Sequence, residues 1–419
     1  MKFMSIDLKN IIKTLGPGII FAGAAIGGSH IIQSTRAGAD YGFKLAIIVI
    51  LVNLFKYPFF EFGIRYTNIT GKSLIEGYKN LGNWAVWTYL ILSIITGIIN
   101  AAALAVVCSG VLSFIIGINF STTIYSLILL LFCMFLLTMG KYPLLDKAMK
   151  IMIIILTITS LIALYLAYNK GMSIIPNFVE PDLFSKKSVF FIIALMGWMP
   201  APIELSAITS LWSIGRMEQM KYKPTFKESL IDFNIGYIGT IVLAIVFLSL
   251  GAFMMYGTGV EFQNSGVGFT NQLIKMYTDL FGTWSLYIIA PAAFITLISS
   301  LISVIDGYPR SYENSFYTLN FFKNIKSNTV YFWTIFLLVA FALVIVQFFA
   351  KTMTLMIDFA TVISFLAAPV FAILNYKVVK GNEIPESYRP KNFLNILSIL
   401  GIIFFISFSL IYIYSLLFI

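Results

Sequence analysis

Runs of about 20 predominantly apolar residues, the length that crosses ~30 Å of hydrocarbon, recur along this 419-residue chain. About eleven such windows are read, at roughly 17–38, 43–64, 86–116, 121–139, 149–168, 189–212, 233–256, 284–305, 330–349, 353–376 and 393–418. The connections between them are too short for a separate soluble domain. With 59% hydrophobic and 11% charged residues, a water-soluble globule would lack the polar surface to cover itself. The chain therefore reads as an all-α polytopic membrane protein of about 11 transmembrane helices. A bacterial cytoplasmic membrane is the expected location. No cleavable leader is expected, because the first apolar run continues from near Ile11 into a full span.

The formal charge of +10 does not point to nucleic acid, since the basic residues are scattered over short loops and form no arm or stripe. Their distribution reports orientation. If the N-terminus is inside, about 20 of the 28 Lys and Arg residues fall in inside segments, about 7 in outside segments, and Lys56 lies within a span. The positive-inside rule thus places the N-terminus inside and the C-terminus outside. The two cysteines, Cys108 and Cys133, fit packing and set up no disulfide framework.

Two spans are interrupted. The first carries Gly27, Gly28, Ser29 and His30 in its middle, and His30 is the sole histidine. Adjacent glycines weaken a helix and admit close backbone approach, and in a bilayer such an opening survives only where it is buried or faces a cavity. The sixth span carries Pro200 and Pro202 around Ala201, so its helix is expected to open between Gly197 and Ile203 and to resume with Glu204 in its first turn. Spans one and six are five apart and cross in opposite directions. That is the plan of an inverted repeat, with cargo bound between the broken helices of two five-span halves. The expected units are 1–168 (spans one to five), 169–376 (spans six to ten) and a peripheral eleventh span in 377–419.

Other polar positions admit more than one reading. Glu61 and Arg65 share a helix face, as do Asp306 and Arg310, the latter pair read as an inner gate or as an interfacial anchor. Asn100, among alanines, is read as a packing residue. Asp358 is an intramembrane acid with no partner evident in the sequence. The mixed-charge segment from Arg216 to Asp232 is read as a solvated amphipathic connection.

Several of these residues carry a likeness to a known family. Gly16-Pro17-Gly18, the broken helix, and Ala37-Gly38-Ala39-Asp40-Tyr41-Gly42 resemble the first span of the NRAMP divalent-metal transporters. Arg65 with Thr70-Gly71-Lys72 resembles the end of their second span, and Met199-Pro200 the Met-Pro of their sixth. The resemblance implies a LeuT-like fold, a transporter rather than an enzyme, and a metal-ion cargo. Where the family carries Asp-Pro-Gly-Asn, this chain has Gly27, Gly28, Ser29 and His30, and Ala201 stands where the family has a histidine after Met-Pro. Of the family's metal-binding side chains, only the methionine is kept, as Met199.

Two cargoes follow. A remodelled divalent-metal site would use His30, Met199, Glu204 and carbonyls of the opened first span, with His30 titrating to couple protons. A small organic solute, such as an amino acid or carboxylate, would instead use the backbone donors of Gly27, Gly28 and Ser29, beside Met199, Pro200, Ala201 and Glu204. Sodium would then sit between a first-span carbonyl such as that of Ala24 and the hydroxyls of Thr296, Ser299 or Ser300. No cofactor is expected; the partners are the cargo, a coupling ion (H⁺ or Na⁺) and membrane lipid. An enzyme is not expected, because no acid–base pair assembles around one histidine, and nothing in the sequence suggests the filter ring of a channel.

Overall fold

The computed structural model describes residues 16–118, 120–139, 142–322, 324–349 and 352–418, with only the backbone described for 142–150 and 152. Lys2, Lys9, Lys13, Lys141, Lys323 and Lys351 of the charge count, and the side chains of Lys147 and Lys150, lie outside the described residues. What is described is all-helical. The first span is broken into α1 (Pro17–Ala25), a π-helical stretch (Gly28–Ser34) and α2 (Thr35–Tyr41). Then come α3 (Ala46–Thr70), α4 (Leu74–Lys79), α5 (Asn83–Ile116), α6 (Thr122–Thr138) and α7 (Tyr142–Lys170). The sixth span is α8 (Lys186–Trp198) and α9 (Leu205–Met220), followed by α10 (Phe226–Met254) and α11 (Gly266–Phe281). The chain ends with α12 (Leu286–Thr318), α13 (Ser327–Phe349), α14 (Met353–Val379) and α15 (Asn392–Phe418).

Eight of the described helices are each long and apolar enough to cross a membrane, which makes this an integral membrane protein. The other three windows are the 17-residue α6 and the two broken segments. α15 exposes most of its side chains, among them Leu410 and Leu417, as a peripheral lipid-facing helix does.

Several connections are more structured than their composition implies. Polar residues after span two build α4 through a capping box, in which Ser73 accepts from the Glu76 amide and the Glu76 side chain accepts from the Ser73 amide. The segment from Arg216 to Asp232, expected as a solvated connection, is exposed or half-buried at all but Glu228, Ser229 and Asp232. It is largely helical, and Asp232 is buried, its carboxylate accepting from the backbone N–H groups of Gly16 (3.1 Å) and Gly18 (2.7 Å) at the start of α1. An acid at a helix N-terminus satisfies amides that have no intrahelical partner.

Both halves of the broken first span lie against α10 at backbone distance, the packing that small residues permit between membrane helices. A Cβ at Gly38 would fall 1.9 Å from the Leu248 carbonyl oxygen, and one at Gly251 2.1 Å from that of Thr35. Because the obstacle is backbone, Gly38→Val is expected to destabilise the fold by at least about 4 kcal/mol. Size-exclusion chromatography of the purified variant checks this, the expected result being loss of the monodisperse peak.

Candidate cargo site at the paired helix breaks

The first break begins where α1 ends at Ala25. The N–H of Gly27 bonds the Ala25 carbonyl at 2.9 Å instead of continuing the helix, which releases the Gly23 carbonyl. Ser300 on α12 donates to that carbonyl at 3.1 Å, with Ser299 at 3.5 Å. Thr296 turns back to the Ala292 carbonyl of its own helix. Of the three hydroxyls read as coupling-ion ligands, two therefore meet the first break, and the carbonyl they meet is that of Gly23 rather than Ala24. Gly27 is held without a side chain by this contact, since a Cβ there would lie 2.3 Å from Ser300 Oγ.

The second break runs from Met199 to Glu204, with Glu204 just before α9 rather than in its first turn. Proline at 200 has no N–H for the Met196 carbonyl, and the end of α8 leaves further carbonyls unpaired. Lys56, from the middle of α3, fills this gap. Its Nζ donates to the carbonyl oxygens of Met196 (2.8 Å), Gly197 (2.7 Å) and Ala201 (3.0 Å).

Between the breaks lies a cavity of about 40 Å³ bordered by Ala24, Ala25, Gly28 and Ser29 of the first, and Trp198, Pro200, Ala201, Pro202 and Leu205 of the second. Asn100, Leu104, Ser303, Val304 and Tyr308 complete the wall. The space suits about three waters, or an ion with part of its hydration. Asn100 is thus no mere packing residue. Its amide donates to Tyr308 Oη (2.8 Å) and accepts from Trp198 Nε1 (3.1 Å), while Tyr308 donates to Glu204 Oε1 (3.0 Å). The chain of bonds ties spans three, six and eight to one carboxylate. Glu204 is fully buried, and its Oε2 has no hydrogen-bond partner among the described residues.

The expected ligand set of His30, Met199 and Glu204 is not gathered here. His30, Met199 and Glu204 are all buried and none borders the cavity, which Glu204 reaches only through its bond from Tyr308. The His30 ring points at α10, with Nε2 3.0 Å from the Thr240 carbonyl and Nδ1 2.6 Å from Ser29 Oγ. Nδ1 also lies 2.9 Å from the Ala25 carbonyl, to which the Ser29 hydroxyl donates at 2.7 Å, so each ring nitrogen is engaged by partners of the fold and neither is directed at the cavity. No group of three or more His, Cys, Asp or Glu able to hold a metal occurs among the described residues.

Charged pairs flank the site. Asp358 accepts from Arg36 at 2.9 and 2.8 Å and from Gln33 Nε2 at 3.0 Å, so the acid without an evident partner in sequence ties α14 to the second half of span one. Asp306 accepts from Arg310 Nε at 2.8 Å, from Trp212 Nε1 at 3.0 Å and from Tyr331 Oη at 2.6 Å, which joins α12, α9 and α13. Glu61 and Arg65 pair as their spacing implies, at 2.5 Å.

Two helices broken around a shared cavity, in a bundle of long apolar helices, define the architecture of a secondary transporter. A family model described as natural resistance-associated macrophage protein-like (Nramp) matches residues 18–415, and the chain belongs to this family of membrane transporters. An uncharacterised protein of Pasteurella multocida is 40% identical over 402 residues, covering 95% of this chain and 91% of that one. The divalent metal cation transporter MntH of Lacticaseibacillus casei is 24% identical over 315 residues, covering 71% of this chain and 63% of that protein. Among solved structures, a manganese transporter of Eremococcus coleocola superposes with a TM-score of 0.74 at 13% identity, covering 99% of this chain and 88% of that one. MhsT in complex with L-phenylalanine gives a TM-score of 0.63 at 11% identity, covering 96% of this chain and 98% of that one. At these identities the structural likeness is one of fold.

Proposed function

We propose that this protein moves a divalent cation such as Mn²⁺ across the membrane by alternating access, through the cavity between the two breaks. Glu204 carries the reading: a buried carboxylate that accepts from Tyr308 of the cavity wall keeps its other oxygen without a hydrogen-bond partner among the described residues. The nearby donors are oxygens, namely Glu204 Oε2, the Ser29 hydroxyl and carbonyls of the first break. Such a set suits Mn²⁺ or Mg²⁺, whereas imidazole and thioether would favour softer ions. The likeness to a divalent metal cation transporter, MntH, and to the Eremococcus manganese transporter supports the same class. The basic residues support an N-terminus inside and a C-terminus outside; H⁺ or Na⁺ is the coupling ion of this reading. The repeat units remain those read in the sequence, 1–168 and 169–376 with 377–419 peripheral, although α7 continues through Lys170 and α14 through Val379.

A second reading, a small amino acid or carboxylate, has its own observation. Gly28 and Ser29 open the resumed helix and border the cavity, and the first amides of a helix have no intrahelical acceptor. Uptake into proteoliposomes of Mn²⁺, compared with amino acids and small carboxylic acids under imposed H⁺ or Na⁺ gradients, separates the two. Saturable Mn²⁺ uptake is the expected result. Uptake of an organic acid with no Mn²⁺ flux transfers the assignment to the second reading.

A further inference from the structure

We propose that the carbonyl cluster of Met196, Gly197 and Ala201 is a monovalent-cation site filled by the tethered ammonium of Lys56. The broken sixth span is then held open by a cation belonging to the chain rather than by a diffusible one. Three carbonyl oxygens lie 2.7, 2.8 and 3.0 Å from Nζ, and an ammonium group has three protons to give. No side-chain oxygen bonds it directly, so the cluster is a ring of carbonyl dipoles of the sort that replaces the hydration shell of a small cation.

Position argues against an ordinary membrane lysine. Such a side chain runs to the interface to keep its charge in water. Lys56 lies in the middle of the 25-residue α3 and is fully buried. Two of the carbonyls it meets, those of Met196 and Gly197, are at the end of α8, and the third, that of Ala201, lies in the break, where the Leu205 N–H bonds Pro202 instead, so removing the charge removes the closure of that helix end. Cations are favoured at a helix C-terminus for the same reason. The fixed charge facing Lys56 is Glu204, at the start of α9. Glu61 on its own helix is paired to Arg65, Tyr237 of α10 donates to the Asn53 carbonyl, α14 offers the uncharged Asn375, and α15 carries no charged residue.

The site is testable without knowing the cargo. Thermal unfolding of the full chain in detergent is measured in choline, Na⁺, K⁺ and NH₄⁺ chlorides. Wild type is expected to show the same midpoint in choline, K⁺ and NH₄⁺ chlorides, and any rise in Na⁺ is expected to be kept in Lys56→Arg. Lys56→Ala empties the cluster and opens room for an ion, so in choline its midpoint is expected to fall by about 5 °C or more. NH₄⁺ or K⁺, which match the site in charge and size, is expected to restore about half of that loss or more. Lys56→Arg, which keeps the charge, is expected to be stable in choline. Equal midpoints for Lys56→Ala in all four salts overturn the proposal, as does wild-type stability of Lys56→Met in choline. If Lys56→Ala does not survive purification in choline, purification in ammonium chloride decides: recovery there supports the site, and loss in both salts overturns it.

Discussion

Gly28→Leu is expected to reduce cargo uptake by at least about 100-fold, equivalent to roughly 2.7 kcal/mol of lost stabilisation. A Cβ at Gly28 would lie 2.6 Å from Trp198 Cζ3 and 3.5 Å from Leu104 Cδ2. The remainder of a leucine side chain has no direction to take except into the cavity of about 40 Å³ that Gly28 borders. Trp198 is a side-chain neighbour and can yield to a methyl group, so Gly28→Ala is expected to show a much smaller loss. Gly27 differs, because its obstacles are Ser300 Oγ at 2.3 Å and Ser300 Cβ at 2.8 Å, and a Cβ moves only with its backbone, so substitution there strains the fold itself. Initial rates of Mn²⁺ uptake into proteoliposomes, normalised to reconstituted protein, check the series. Uptake by Gly28→Leu equal to wild type would move the cargo path away from the first break.

Glu204→Gln is expected to have a comparable effect for a different reason. The substitution keeps the side-chain shape and an oxygen for Tyr308 to donate to at 3.0 Å, but removes the charge that a cation needs in this site. It also removes the fixed negative charge nearest the Lys56 ammonium, whose direct partners are carbonyls alone. Mn²⁺ uptake is expected to fall by at least about 100-fold, together with a lower unfolding temperature. Loss of thermal stability with Mn²⁺ uptake intact would make Glu204 a structural partner of Lys56 and Tyr308 alone.

Backbone chemistry made both breaks readable from the sequence. Adjacent glycines at 27 and 28, and prolines at 200 and 202, act locally and need no knowledge of the fold. Glu204 was legible too, as the acid next to a break. Directions were not. His30 lies in the break along the sequence, but the stretch from Gly28 to Ser34 is π-helical and turns its ring to Thr240 of α10 instead of the cavity, which residue order alone does not encode. Lys56 looked like an isolated charge in an apolar helix because its partners are carbonyls 140 or more residues away. Asn100 and Tyr308, 208 residues apart, join only through the packing of α5 on α12. Asp358 found Arg36 by the same route, across 322 residues.

The assignment of cargo to the space between the breaks is tested most directly by anomalous diffraction from crystals of the full chain soaked in Mn²⁺. A manganese peak between α1 and α9, within roughly 2.0–2.6 Å of a Glu204 carboxylate oxygen and absent in Glu204→Gln, is the predicted result. A Mn²⁺ peak elsewhere in the bundle, with nothing at the breaks, would contradict the account.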